Sequence, residues 1–280
     1  MLRDDVLRAL EENRDTAVSG QALADRFGVS RNAVWKVINQ LREEGHEILS
    51  DGNKGYRLDD ASDVLSEAGI RVFLPEREDL KVAVYPTIDS TNNEAKRRLG
   101  AGDGGNLLIV ADAQTAGRGR MGHTFYSPDG SGIYMTLSID LANPLYQPER
   151  ITLAAAVAVV RALQPYLDEE LRLKWVNDIF YREKKVCGIL SEGVTDLETG
   201  LIQHAIVGIG INVRPAEFPE ELRDIAGTLG ILSPSRNEIV GRIVTELLDL
   251  YQDLSSDLYL QEYLKFSMHP DKVREFLGKS

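Results

Sequence analysis

Gln114-Thr115-Ala116-Gly117-Arg118-Gly119-Arg120-Met121-Gly122 sets two arginines among three glycines, in a chain of 280 residues with a formal net charge of −12. The stretch lies between two apolar runs, 107–110 and 132–139, that read as strands. Glycines let a backbone lie close to a partner. Guanidinium groups favour planar anions such as carboxylates and phosphates. A Gly/Arg loop between two strands therefore reads as an anion-binding loop, with a plain solvated turn as the alternative.

Outward from this loop, strand-like segments fall at 82–85, 107–111, 132–139, 171–175, 185–193 and 202–213. Helical segments fall at 92–99, 151–167 and 236–255. Strands outnumber long helices and do not alternate with them one to one. That predicts an α+β fold with a mixed sheet rather than a doubly wound parallel one. The 151–163 helix is apolar nearly all round, which predicts a buried position.

Residues 2–13 carry Leu2, Val6, Leu7 and Leu10 at helical spacing. Ser19 and Ser30 are placed to cap two further helices, separated by Gly28. Residues 47–50 and 56–58, joined by Asp51-Gly52-Asn53-Lys54-Gly55, read as a hairpin. The set is a helix-turn-helix with a wing. Between residues 26 and 42 stand Arg26, Arg31, Lys36 and Arg42 and no acidic residue. On the third helix Ser30, Arg31, Asn32, Trp35 and Lys36 have the chemistry to meet phosphates and base edges in a major groove. A protein-binding winged helix with a packed Trp35 is the alternative. Gly69 to Leu80, with Ser66, Glu67 and Glu76-Arg77-Glu78-Asp79, reads as an exposed connector.

The overall acidity argues against general nucleic-acid coating. One cysteine, Cys187, excludes an internal disulfide and a cysteine metal cage. The charged opening Met1-Leu2-Arg3-Asp4-Asp5 does not read as a signal peptide, and no apolar run reads as long enough for a membrane span. A soluble, cytoplasmic protein is expected.

Four more segments carry polar residues that a fold does not require. Asp89-Ser90-Thr91-Asn92-Asn93-Glu94 leads into a helix, with Thr91 and Glu94 spaced as a capping box; the same N-terminus can seat a polar ligand group. Lys174 emerges from an apolar strand, followed by Trp175-Val176-Asn177-Asp178. Lys184-Lys185-Val186-Cys187-Gly188-Ile189-Leu190 is a hairpin return. Gly208-Ile209-Gly210-Ile211-Asn212 places glycines inside a strand, where they mark close approach.

Together, Ser90-Thr91-Asn92, Gln114 with Gly117-Arg118-Gly119-Arg120, Lys174 to Asp178, Lys185 to Leu190 and Gly208 to Asn212 resemble, in order and spacing, the signature segments of biotin protein ligases. With the winged helix, residues 1–266 resemble the bifunctional kind that also represses transcription. The resemblance implies a winged helix at 1–62, a linker at 63–80, a class II synthetase-like ligase domain at 81–266 and a tail at 267–280. It implies formation of biotinyl-5′-AMP from biotin and ATP, with Mg²⁺, then transfer to a lysine of a biotin carboxyl carrier domain. It further implies binding to operator DNA as a ligand-linked homodimer.

By the family's pattern Ser90, Thr91, Asn92, Gln114, Arg118, Arg120 and Lys185 hold biotin, with backbone contacts from Gly117, Gly188, Gly208 and Gly210. Arg120, Asn177, Asp178 and Asn212 hold the adenylate side, and Phe125 stands where a tryptophan often stacks on adenine. Arg118, Arg120, Lys174 and Lys185 supply catalytic cation density, and Asp178 is the nearest carboxylate for Mg²⁺. Met121 and His123 stand where the family's loop commonly has arginines. The family's C-terminal SH3-like barrel is expected to be largely absent, with residues 271–277 helical instead. The alternatives are a DNA-binding regulator that senses biotin or its adenylate with little ligation, and a lipoate ligase relative.

Overall fold

The serines on either side of Phe27-Gly28-Val29 start the helices that follow them. In the computed structural model, Ser19 accepts from the Ala22 amide and Ser30 from that of Ala33. They open α2 (Gly20–Phe27) and α3 (Arg31–Glu43), preceded by α1 (Leu2–Glu11). Gly28 ends α2 at φ 65°, a left-handed conformation suited to glycine. The structure describes residues 1–52, 54–75, 79–103, 105–145, 147–196 and 198–278. Asn53 of the expected wing turn, Glu76, Arg77 and Glu78 of the expected connector, and Lys279 and Ser280 lie outside them.

Strands β1 (Ile48–Ser50) and β2 (Tyr56–Leu58) pair antiparallel, Ile48 against Leu58, and Val18 bridges to Tyr56. Val6, Leu7, Leu10, Leu23, Val34, Ile38, Leu41, Ile48 and Leu58 form one core beneath them. The winged helix-turn-helix is thus present. Residues 63–80, read as a linker, hold a further helix, α4 (Glu67–Val72). Ser66 is buried and caps it through the Gly69 amide, and Ala68, Gly69 and Ile70 are buried too, so this part of the expected connector is packed rather than exposed.

The chain divides into two units, Met1–Pro75 with Leu232–Gly241, and Glu76–Ile231 with Arg242–Ser280. In the first unit the Arg236 backbone amide and guanidinium both donate to the Asp63 carboxylate, at 2.7 and 2.9 Å. Asn237 accepts from the Ser66 amide and donates to the Val64 carbonyl. These buried contacts tie segments far apart in sequence into one core.

The second unit is built on a sheet of β3 (Leu80–Ile88), β4 (Asn106–Gln114), β5 (Gly132–Leu145), β6 (Arg172–Lys174), β7 (Asp178–Tyr181), β8 (Lys184–Thr195) and β9 (Ile202–Asn212). Its order is β3-β4-β5-β9-β8-β7-β6. β3 and β4 are parallel and all other pairs antiparallel, the mixed sheet expected. α5 (Thr91–Gly100) connects β3 to β4 and packs Ala95 on Leu107, Ile109 and Ile206. α6 (Glu149–Leu163) is buried on every side except at Glu149 and Arg161, and packs on β8 and β9. α7 (Arg236–Leu250), α8 (Leu258–Phe266) and α9 (Pro270–Leu277) follow; α9 covers the expected 271–277 helix.

The Thr91–Glu94 capping box does not form. Ser90 is the N-cap residue and makes no side-chain cap. The Thr91 hydroxyl turns to the sheet, and Glu94 accepts instead from Tyr85, Arg97 and Arg98. Charged donors on the same helix outcompete a backbone amide for the carboxylate.

His46 is buried, and burial pushes its pKa down from 6.5 to about 4. The unfolded chain takes up this proton near pH 6.5 and the folded chain only near 4. Protonation therefore favours unfolding, and stability is lost as pH falls through that window, on the order of 3 kcal/mol once complete. Urea unfolding between pH 7 and 4 should show this loss, and His46→Leu should flatten it.

Candidate active site

Strand β9 exposes two glycines toward the face of the sheet that carries α5, and side chains fill the space they leave. A methyl group on Gly208 would collide with Asn92 Oδ1. One on Gly210 would begin 2.6 Å from the Phe125 ring, and one on Gly188 of β8 3.2 Å from it. Gly188 pairs with Gly210 across the two strands, so Phe125 lies over a bare patch of backbone. Real side-chain carbons do not come this close, so glycine is required at 208 and 210.

Above this patch is a cavity of about 210 Å³. Ser90, Thr91, Asn92, Gln114, Arg118, Arg120, Phe125, Asn177, Asp178, Lys185, Gly188, Gly208 and Gly210 all line it, together with His123, Thr124 and Met135. Segments far apart in the chain are thus brought to one place by the sheet order. Three residues singled out from the sequence lie elsewhere. Lys174 faces outward on β6, its ammonium 5.5 Å from the Phe180 ring centre. Strand alternation explains this: Leu173 takes the buried side and its neighbours the other. Gly117 supports the loop, since a methyl there would collide with the Phe125 carbonyl. Asn212 donates to the Gly227 carbonyl at 3.0 Å and holds that segment to β9.

The polar floor is a connected network. The Thr91 amide donates to Gln114 Oε1 at 2.9 Å, and the Thr91 hydroxyl lies 3.2 Å from the same oxygen. Gln114 Nε2 donates to Ser127 Oγ, which donates to the Phe125 carbonyl. Thr136 Oγ1 lies 2.8 Å from Thr91 Oγ1 and 2.7 Å from Asn92 Oδ1. Ser127 and Thr136 carried no motif signal; only their fold neighbours reveal them.

The Gly/Arg loop closes as a small hairpin, with Gly119 donating to the His123 carbonyl and Phe125 to that of Gly117. Met121 holds φ 55° at its tip and is almost fully exposed. Arg118 donates to Asn93 Oδ1 at 2.9 Å, and Asn93 donates on to Asp89. The Arg97 guanidinium, hydrogen-bonded to Asp89, holds that carboxyl well below its ordinary range, so the anchor stays anionic. Arg120 reaches Asn177 Oδ1 at 3.3 Å. Lys185 Nζ lies 2.7 Å from Asp178 Oδ1, the one carboxylate among the described lining residues. Cys187 is fully buried, and burial pushes its thiol up, so it remains a protonated core residue. Such a lining has the chemistry to meet anions and polar groups, and none of its described residues is an activated nucleophile.

A separate surface belongs to the first unit. Arg31, Asn32, Trp35 and Lys36 are exposed on α3, with Trp35 52% accessible, so Trp35 is not packed. Arg26 and Arg42 are engaged, with Glu12 and with the Ile48 carbonyl.

Residues 84–212 match the biotin/lipoate A/B protein ligase family and residues 3–57 match an HTH domain. The chain is 38% identical over 231 residues to the bifunctional ligase/repressor BirA of Bacillus subtilis, covering 81% of this chain and 70% of that one. The chain belongs to the bifunctional ligase/repressor family. The Escherichia coli ligase/repressor BirA is 30% identical, over 88% of this chain and 77% of the relative. Among solved structures, the Aquifex aeolicus biotin protein ligase in complex with biotin and ATP superposes with a TM-score of 0.51 at 28% identity, over 68% of this chain and 79% of that one. The Leishmania major biotin protein ligase in complex with biotinyl-5-AMP gives 0.53 at 26%, over 69% and 82%. In this ligase/repressor the described lining residues all fall between 90 and 210, inside the matched ligase segment.

Gly210→Ala should cost about 1–3 kcal/mol by overpacking against Phe125. In a Phe125→Ala background the same change should cost well under half as much, because the two residues share one space. Urea unfolding of the four proteins measures this; equal penalties in both backgrounds would show that Gly210 makes room for something else.

Proposed function

We propose that this protein joins biotin to ATP, giving biotinyl-5′-AMP and pyrophosphate, transfers the biotinyl group to a lysine of a biotin carboxyl carrier domain, and represses transcription in response to biotin. The observation that carries the ligase reading is a cavity with a neutral polar floor, flanked by Arg118, Arg120 and Lys185 and holding a single carboxylate among its described residues. In the first step a carboxylate oxygen attacks the α-phosphorus and pyrophosphate leaves. Two anions must meet, so fixed positive charge lowers the barrier. In the second step an amine attacks the acyl carbon and AMP leaves. Neither step needs a protein nucleophile, and positioning supplies the rest.

Ser90, Thr91, Asn92 and Gln114, with Lys185 and Arg118, are assigned to biotin, against the backbone of Gly188, Gly208 and Gly210. Arg120, Asn177, Asp178 and Phe125 are assigned to the adenylate side. Magnesium is assigned to enter with ATP: Asp178 is already paired with Lys185, and no cluster of three metal-ligating residues exists among the described residues. The exposed α3 surface is assigned to operator DNA, read by a homodimer that forms with biotin and ATP; sedimentation with and without them tests that step. No helix among the described residues is long and apolar enough to cross a membrane, and a cytoplasmic site of action is proposed.

Arg118→Ala and Lys185→Ala should each slow biotin-dependent ATP–pyrophosphate exchange by about tenfold or more, since a charge-assisted hydrogen bond is worth about 1.5–3 kcal/mol. Their unfolding should remain cooperative. Unchanged exchange in both would remove these cations from the reaction. Mass analysis of a carrier domain incubated with the protein, biotin and Mg-ATP reads the second step; exchange without labelling would favour a regulator that ligates poorly.

Arg31→Ala with Lys36→Ala should weaken operator binding and lower its salt slope by about 0.9 for each phosphate that is no longer neutralised. Exchange activity should be retained. Operator affinity equal to the parent's at every salt concentration would take α3 out of DNA recognition.

A further inference from the structure

Asn92 is 5% exposed at the cavity floor, and all of its polar atoms are engaged. Its Nδ2 donates to the Leu190 carbonyl at 3.3 Å and to Glu192 Oε2 at 3.2 Å. Its Oδ1 receives Thr136 Oγ1 at 2.7 Å and lies over Gly208. Glu192 is outside the lining residues; it stands on β8 and is held by Lys96 Nζ at 2.6 Å.

The partners differ in what they tolerate. A threonine hydroxyl both donates and accepts, so Thr136 satisfies either orientation of the Asn92 amide. The Leu190 carbonyl and the Glu192 carboxylate only accept. A flipped amide would turn Oδ1 against both, one of them charged. Glu192 and the Leu190 carbonyl together therefore set the orientation, the carboxylate with the larger share because it is charged, and with it which atom Asn92 offers the cavity. As oriented, Oδ1 keeps a second lone pair over Gly208 and can accept from a ligand N–H or O–H. Flipped, the same position would offer a donor.

We propose that Glu192 is a positioning residue for ligand binding: it locks Asn92 as a hydrogen-bond acceptor at the cavity floor, with Lys96 holding the carboxylate in place. This rests on the biotin ligase reading of the cavity. Glu192 touches no ligand in this scheme and acts only through Asn92, so its effect must vanish when Asn92 is removed.

The test is calorimetric titration of biotin into the full chain for the parent, Glu192→Ala, Glu192→Gln, Asn92→Ala and the Glu192→Ala/Asn92→Ala double variant, with thermal unfolding of each. Glu192→Ala should weaken biotin roughly tenfold, the scale of one hydrogen bond to a charged group. Glu192→Gln retains one acceptor oxygen for Asn92 but sets its NH2 against Lys96, so it should recover part of that loss. On the Asn92→Ala background, Glu192→Ala should change biotin affinity less than about twofold. Parent-like affinity in Glu192→Ala, failure of the glutamine to rescue, or the full loss persisting without Asn92 would each overturn the proposal. A parent that binds no biotin would overturn the ligase reading, and this inference with it.

Discussion

The site depends on missing side chains in the middle of a sheet. Gly208 and Gly210 leave bare backbone on one face of β9, and Asn92 and Phe125 settle there with their atoms where Cβ atoms would be. Glycine weakens a strand, so a tolerated pair needs compensation. Here it comes from pairing on both sides: β9 is hydrogen-bonded to β5 and β8 through the whole glycine stretch. A central strand can lose side chains on one face because its ladders and its other face hold it. Ile209 and Ile211 remain fully buried on that other face.

The positive charge of the site comes from few elements. Arg118, Arg120 and Lys185 stand on a loop and a strand end, and each rests on a neighbouring side chain: Asn93, Asn177 and Asp178. Two of these three partners are neutral amides. An arginine on an amide is less tightly held than one on a carboxylate, so it is freer to exchange that partner for an anionic ligand. The carboxylate ion pairs, such as Arg97 with Asp89, sit one step back, and Asp89 in turn accepts from the Asn93 side-chain amide.

Much of this was legible in the residues. Ser19, Gly28 and Ser30 announced the helix-turn-helix through cap chemistry that is local and strong. The glycines at 208 and 210 announced close approach, though not that Phe125 and Asn92 were what approached. Strand β7 was hidden because it is four residues long and turns into β8 through Arg182 and Glu183, both at positive φ without a glycine to signal it. Helix α4 was hidden among charges, and α8 among mixed residues. Lys174 misled because a lysine beside a motif and a lysine on an edge strand look alike until strand alternation is fixed. Ser127, Thr136 and Glu192 had no signal, since their meaning comes only from residues distant in sequence.

The contacts of Arg236 and Asn237 with Asp63, Val64 and Ser66 bear on how the chain is made. A ribosome delivers residues 1–75 long before residue 236. Until then Asp63 lacks its guanidinium and the Ser66 amide its acceptor, and water must stand in for both. The first unit to be synthesised is therefore among the last to be finished. The nascent helix-turn-helix can assemble its apolar core early, but its final polar closure waits until the whole seven-stranded sheet of the second unit has been translated.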